Sequence, residues 1–179
     1  MTSWSRLAQR IRVPLGFALA ALYFWLAQPT WTSLAIGAVI AAPGLALRAL
    51  ASGHVRKNTE LTTTGPYAYT RNPLYVGSAI IGVGFAAAAR SLWVVLALVL
   101  LFLLIYLPVV RSEEAYLRAQ FPEYGEYARR VPRFSLTFSP PQGAAEGFSR
   151  ELYLKHREYN AVLGAALMLA ALVLKLLWR

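Results

Sequence analysis

The sequence predicts an all-α fold, a polytopic membrane helix bundle with about five transmembrane helices in one domain over residues 1–179. Hydrophobic residues make up 58% of the chain, above the roughly 45–50% of average soluble proteins. Charged residues make up only 15%, against about 25% in such proteins. The apolar residues also lie in five runs, and a helix needs about 20 mainly apolar residues to cross a bilayer.

Each run predicts one helix. The runs lie at residues 13–27, 31–51, 74–89, 92–110 and 160–177. Residues 28–30 form the turn after the first run, which we expect to be retained because no small-residue cleavage site is evident. Only Arg90 and Ser91 separate the third run from the fourth. Residues 111–130 carry one apolar stripe at helical spacing, which predicts an amphipathic helix outside the membrane.

The basic residues predict the orientation of the bundle. Fifteen of the 18 Lys and Arg residues fall at one end of the predicted helices, and cytoplasmic loops are enriched in these residues. We therefore expect the N-terminus and the polar segments 52–73 and 111–159 to be cytoplasmic. The predicted location is a bacterial inner membrane, with the functional site on its cytoplasmic side.

Composition excludes several kinds of site. The chain has no Cys, so it holds neither a disulfide nor a cysteine nucleophile. Its two histidines, His54 and His156, do not have metal-ligand spacing, and no metal site is predicted. The net charge of +10 comes from residues beside apolar runs, which favours a membrane partner over nucleic acid. The oligomeric state stays open.

The densest pattern is GPYAYTRNPLYVGS at residues 65–78, which leads into the third predicted helix. Pro73 suits the first turn of that helix because its missing N–H is not needed there. Arg71 and Asn72 then stand at a helix N-terminus, where free N–H groups and the helix dipole favour an anionic group such as a carboxylate. The alternative is a structural arginine that reaches the membrane interface among aromatic residues.

Small residues mark one flank of the same helix, at Gly77, Gly82 and Gly84. In membrane helices such residues most often allow a second helix to approach closely. A ligand lying against bare backbone is the functional alternative. The three glycines alone do not decide between these interpretations.

An acidic pair, Glu113 and Glu114, follows the fourth run. Two acids beside a membrane are costly unless they are solvated, paired or bound to a cation. Adjacent residues on a helix point about 100° apart, so at most one of the two is expected to face inward. Together with the basic and aromatic groups of residues 52–73, this pair suits a small zwitterionic ligand such as S-adenosylmethionine.

These residues resemble the isoprenylcysteine carboxyl methyltransferase and phospholipid methyltransferase superfamily of membrane enzymes. Residues 65–78 are similar to its GPY...RHPxYxG motif, and EEAYLRAQFPEYGEYARRVPRF at residues 113–134 is similar to its EE..L...FG..Y..Y...VPR pattern. The Gly-Val-Gly at residues 82–84 is similar to the Gly-x-Gly of the phospholipid branch. The matching core covers about residues 53–134, and the helix at 160–177 lies beyond it.

Two positions depart from the superfamily pattern. Asn72 stands where the superfamily commonly has His, and Pro122 stands where it commonly has Gly. The resemblance implies that the protein binds S-adenosylmethionine as its methyl donor. The residues that it assigns to the cofactor site are Arg71, Asn72, Pro73, Tyr75, Gly77, Gly82, Gly84, Glu113 and Glu114.

Methyl transfer from a sulfonium is an in-line displacement, so the enzyme mainly aligns the reactants and excludes water. Arg71 or Arg133 is predicted to orient a carboxylate acceptor, and Glu114 to act as the base for an amine or phenol. The acceptor is expected to be a lipophilic small molecule or a lipid-modified one that enters from the bilayer.

Two other functions are compatible with the sequence. A membrane sterol or enoyl reductase that uses NADPH carries a related motif, although Ser78 stands where that motif usually has an acid. A non-enzymatic membrane subunit or carrier is the second alternative. A carrier is expected to place polar groups near the middle of the bilayer, whereas here they cluster at one end.

Overall fold

The computed structural model describes residues 17–56, 59–137 and 147–178. Within these ranges the regular secondary structure is helical and includes no strand, which confirms the prediction of an all-α helix bundle. A 3₁₀ turn at Gly65–Ala68 precedes the third helix. Residues 13–16 of the first predicted helix lie outside the described residues. The helices are α1 (Phe17–Leu26), α2 (Trp31–Ser52), α3 (Pro73–Ala89), α4 (Leu92–Gln120), α5 (Tyr124–Arg130), α6 (Arg150–Lys155) and α7 (Tyr159–Leu177).

Three of the described helices are long and apolar enough to cross a membrane, namely α2, α4 and α7, with 22, 29 and 19 residues. Two more, α1 and α3, are apolar but shorter. Apart from Ala27, which follows α1, all five predicted apolar runs are helical where the structure describes them. The protein is an integral membrane helix bundle.

Helices α2 and α3 pack with their backbones in close contact. A Cβ atom on Gly37 would lie 2.6 Å from the carbonyl oxygen of Gly84, and one on Gly44 would lie 2.7 Å from that of Gly77. The two glycines of each helix are seven residues apart, so two pairs meet along one contact line. Small residues allow such an approach. The expectation of a close neighbouring helix is confirmed for Gly77 and Gly84, whereas Gly82 lies on another side of α3 and faces α4.

The helix ends opposite the predicted cytoplasmic side are joined by polar contacts. The N–H of Gln28 donates to the carbonyl of Ala89 at 2.8 Å, and the hydroxyl of Ser33 donates to that of Ala88 at 3.0 Å. Lys175 of α7 donates to the carbonyl of Ala27 at 2.8 Å, just beyond the end of α1. These contacts hold α1, α2, α3 and α7 together at one end.

Arg90 ends α3 in the left-handed conformation, with φ of 51°. A non-glycine residue pays roughly 1–2 kcal/mol for this backbone conformation. We expect Arg90→Gly to raise the free energy of unfolding by about 1 kcal/mol, measured by thermal unfolding in detergent. Arg90→Ala keeps a Cβ atom and should give no gain. An equal gain with alanine would instead assign the effect to loss of the arginine side chain.

Helix α4 corrects one predicted boundary. The sequence predicts a membrane helix at 92–110 and a separate amphipathic helix at 111–130, but a single helix runs through to Gln120. No Gly or Pro stands at the predicted junction, so nothing ends the helix there. The helix ends just before Phe121 and Pro122, and α5 follows.

One turn within α4 is wider than an α-helix. Residues Phe102–Tyr106 are π-helical, and the N–H of Leu107 donates to the carbonyl of Phe102. Pro108 accounts for this turn because it has no N–H and its ring crowds the carbonyl four residues earlier. Single π turns inside α-helices are frequent at functional sites.

Candidate functional site: a polar cavity at the helix ends

A cavity of about 550 Å³ opens where α2 ends and α3 begins. Its wall comes from these two helices, the loop between them, α4, α5 and the residue before α7. Among the described residues, six tyrosines line it, together with four acids and three arginines. They are Tyr67, Tyr75, Tyr106, Tyr116, Tyr124, Tyr127, Glu60, Glu113, Glu114, Glu158, Arg48, Arg56 and Arg71.

Glu114 is the centre of the polar network on this wall. Arg133 donates to both of its carboxylate oxygens, with Nη2 at 2.7 Å from Oε2 and Nε at 3.0 Å from each oxygen. The side-chain amide of Asn72 donates to Oε1 at 3.0 Å. The guanidinium of Arg71 lies 3.7 Å from the same oxygen. The Glu114 side chain is only 9% exposed, so its charge is stabilised by these groups.

The two sequence motifs meet through backbone contacts beside this carboxylate. The N–H of Arg71 donates to the carbonyl of Pro132 at 2.9 Å. The carbonyl of Arg133 accepts from the hydroxyl of Thr70 and from the side-chain amide of Asn72, each at 3.2 Å. The start of α3 is thereby fixed to the segment that follows α5. Asn72 supplies the donor at the position where the superfamily commonly has His.

Arg71 keeps donors that the described residues do not use. Its Nη1 donates to the hydroxyl of Tyr124 at 3.3 Å. Its Nε is buried without a hydrogen-bond partner among the described residues, and its side chain lines the cavity. Since a guanidinium has five N–H donors, Arg71 has the capacity to bind an anionic group in the cavity.

Burial affects three phenols beside this network. It raises the pKa of Tyr67, Tyr124 and Tyr127 above the usual tyrosine value. The hydroxyl of Tyr127 donates to the carbonyl of Tyr67 at 2.8 Å. Hydrogen bonding to Glu114 raises the pKa of Arg133, so its guanidinium stays charged. The site therefore offers neutral aromatic faces beside fixed charges.

The acidic pair divides as its helical spacing predicts. Glu114 is buried in the network, whereas Glu113 is exposed and also lines the cavity. Tyr75 lies on the cavity wall, and Pro73 is buried at the first position of α3. Arg133 is not among the lining residues and holds Glu114 from outside the cavity.

The three glycines that the resemblance assigns to the cofactor site lie outside the lining of this cavity. Gly77, Gly82 and Gly84 are not among the residues that line the cavity. Gly77 and Gly84 face α2, and a Cβ atom on Gly82 would lie 3.9 Å from a methyl group of Leu98 in α4. In this structure the Gly-Val-Gly segment contacts neighbouring helices.

Four charged residues of the wall were not predicted as site residues, namely Arg48, Arg56, Glu60 and Glu158. Arg48 of α2 and Glu158, which precedes α7, form an ion pair at 2.6 Å. A signal was available for Arg48, because it lies inside the second apolar run and a charge there is expensive unless it has a function. The sequence near Glu158 carries no comparable signal.

A second, apolar groove of about 420 Å³ lies beside the polar cavity. It is formed by α2, α3, α4 and Phe134, and Tyr75 lines both spaces. Rings mark the boundary: Tyr75 packs edge-on against Tyr106 at 5.7 Å between centroids, and Phe102 packs against Phe134 at 5.6 Å. The groove's lining residues are Ile40, Tyr75, Val76, Ala79, Ile80, Val83, Phe102 and Phe134.

Among the described residues, no three His, Cys, Asp or Glu side chains come together as a candidate metal centre.

The chain is similar to two curated proteins. The cobalt-zinc-cadmium resistance protein CzcN of Cupriavidus metallidurans is 40% identical over 132 residues, which cover 69% of this chain and 60% of CzcN. The nickel-cobalt-cadmium resistance protein NccN of Alcaligenes xylosoxydans xylosoxydans is 42% identical over 132 residues, covering 69% and 61% of the two chains.

The chain thus spans about 60% of the length of the curated relatives it matches. No solved structure matches it. The family model for phospholipid methyltransferases matches residues 11–124, a range that includes Arg71, Asn72 and Glu114 of the polar network. The protein belongs to the phospholipid methyltransferase family of membrane methyltransferases.

Proposed function

We propose that the protein is an S-adenosylmethionine-dependent methyltransferase that acts on a lipophilic or membrane-embedded acceptor, similar to isoprenylcysteine carboxyl methyltransferase. Membership in the family supports methyl transfer. The observation that carries the choice of donor is the composition of the cavity wall, where tyrosine rings and carboxylates stand beside an arginine with free donors.

This wall fits the chemical groups of S-adenosylmethionine. Tyrosine faces attract onium groups through their ring quadrupole, and carboxylates such as Glu113 favour cations. Arg71 has N–H donors for the cofactor's carboxylate. When bound, S-adenosylmethionine supplies a methyl group activated by a sulfonium.

The acceptor side of the proposal rests on the apolar groove. Tyr75 lines both the groove and the polar cavity, so the two spaces are adjacent. We propose that one molecule with an apolar body and a reactive polar end occupies both. Burial of apolar surface contributes about 25 cal/mol per Å², which gives such an acceptor its affinity.

The network around Glu114 favours an anchoring role for this residue. Both of its oxygens are engaged by Arg133, and one also accepts from Asn72. A carboxylate held in this way positions the Arg71 side chain and is poorly placed to remove a proton. A carboxylate acceptor is already ionised and needs no base, so this arrangement favours O-methylation of a carboxylate.

We further propose that the cavity opens to the cytoplasm from a bacterial inner membrane. The helix ends and loops on the side of the cavity carry most of the basic residues, including Arg118 and Arg150. Cytoplasmic loops are enriched in such residues.

The test is calorimetric titration of the detergent-purified protein with S-adenosylmethionine and, separately, with NADPH. We expect S-adenosylmethionine to bind saturably. In Arg71→Lys its affinity should be at least about tenfold weaker, because lysine lacks the guanidinium fork. Arg130→Lys changes an exposed arginine outside the cavity and should bind as the wild type does. Binding of NADPH alone would replace this proposal with a reductase.

A further inference from the structure

Arg48 crosses from α2 to α3 at the wall of the polar cavity. Its Nη1 donates to the carbonyl of Leu74 at 3.2 Å and also to the hydroxyl of Ser78. Its Nε donates to Glu158 at 2.6 Å. One guanidinium therefore joins α2, the first turns of α3 and the residue that precedes α7.

Gly77 makes this crossing sterically feasible. A Cβ atom on Gly77 would lie 2.6 Å from Cγ of Arg48 and 2.8 Å from the carbonyl oxygen of Gly44. The glycine of the motif at residues 65–78 thus leaves room for a side chain of another helix. Arg48 then braces the turn of α3 that carries Tyr75.

This brace introduces a positive charge into a site for a cationic ligand. Arg48, Ser78 and Glu158 all line the cavity. The Arg48 and Glu158 side chains are only 24% and 12% exposed, so solvent screens the guanidinium weakly. At a short distance in such a setting an unpaired positive charge would repel a cation.

We propose that Glu158 is a specificity-determining residue that neutralises Arg48, so that the cavity accepts the cationic methyl donor. The inference rests on the proposed function, because the ligand is S-adenosylmethionine. It adds a residue outside the family match at residues 11–124, and it makes the segment before the C-terminal helix part of the site.

The ligand pair that tests this role is S-adenosylmethionine and S-adenosylhomocysteine, which differ by the methyl group and its sulfonium charge. In Glu158→Gln, we expect the Kd of S-adenosylmethionine to rise about tenfold relative to that of S-adenosylhomocysteine. In Arg48→Gln the Kd of S-adenosylmethionine should instead fall relative to that of S-adenosylhomocysteine. The double variant removes both charges and should return to the wild-type ratio.

Glu126→Gln is the matched control, because it removes an exposed carboxylate paired with Arg129 and Arg130 outside the cavity. It should leave both affinities unchanged. Equal weakening of both ligands in Glu158→Gln and Arg48→Gln would show a purely structural brace and overturn the inference. If the wild type bound neither ligand, the proposed function itself would fail, which is a different result from an unchanged ratio.

Discussion

Glu114→Ala is expected to lower the free energy of unfolding by about 3–5 kcal/mol, the usual cost of removing one partner of a buried ion pair. The substitution leaves the guanidinium groups of Arg71 and Arg133 without their carboxylate. It also removes one of the two acceptors of the Asn72 amide. Arg71 would then lose its fixed position at the cavity, and binding of S-adenosylmethionine should be lost with it.

Thermal unfolding in detergent and calorimetric titration measure the two effects separately. Glu126→Ala removes an acid that pairs with two arginines on the surface, where its side chain is 66% exposed. That control should change stability by less than about 1 kcal/mol, as for exposed ion pairs. A Glu114→Ala protein with wild-type stability and binding would disprove the central role of the network.

The second large effect is expected at Gly84. A Cβ atom there would lie 2.6 Å from the carbonyl oxygen of Gly37 and 2.8 Å from the backbone nitrogen of Ala41. Backbone atoms do not rotate away, so α2 and α3 would have to separate. We expect Gly84→Ala to cost about 3 kcal/mol, at the upper end of the range for overpacking.

Gly82→Ala is the control, two residues away on the same helix. Its Cβ atom would meet only the methyl groups of Leu98, at 3.9 and 4.0 Å, which is ordinary contact. We expect no loss of stability or donor affinity, measured by the same two methods. If Gly82→Ala instead weakened donor binding while Gly84→Ala remained stable, the Gly-Val-Gly segment would belong to a ligand site.

The sequence predicted the helices well because a bilayer imposes a length and a composition on each segment that crosses it. The predicted run at residues 31–51 corresponds to α2, which ends one residue later. The predicted run at 160–177 corresponds to α7, which begins one residue earlier. The motifs also led to Arg71 and Glu114, since a charge beside an apolar helix is visible in a local pattern.

Pairings between distant residues could not be predicted in this way. Gly37 faces Gly84, and Arg48 meets Glu158, only because α2 lies beside α3 and α7. No local pattern specifies which neighbour a small or charged residue will meet. For the same reason the anchoring contact between Arg133 and Glu114 appears only in the folded chain.

The π turn at Phe102–Tyr106 determines which acid faces the network. It adds one residue to a turn, so each later residue is rotated by about 100° from its place in a regular α-helix. If this turn closed to α geometry, Glu113 would take the inward-facing position that Glu114 now holds. An adjacent acidic pair therefore keeps a carboxylate facing Arg71 in either helical register, which makes the site tolerant of a change that would otherwise remove its central charge.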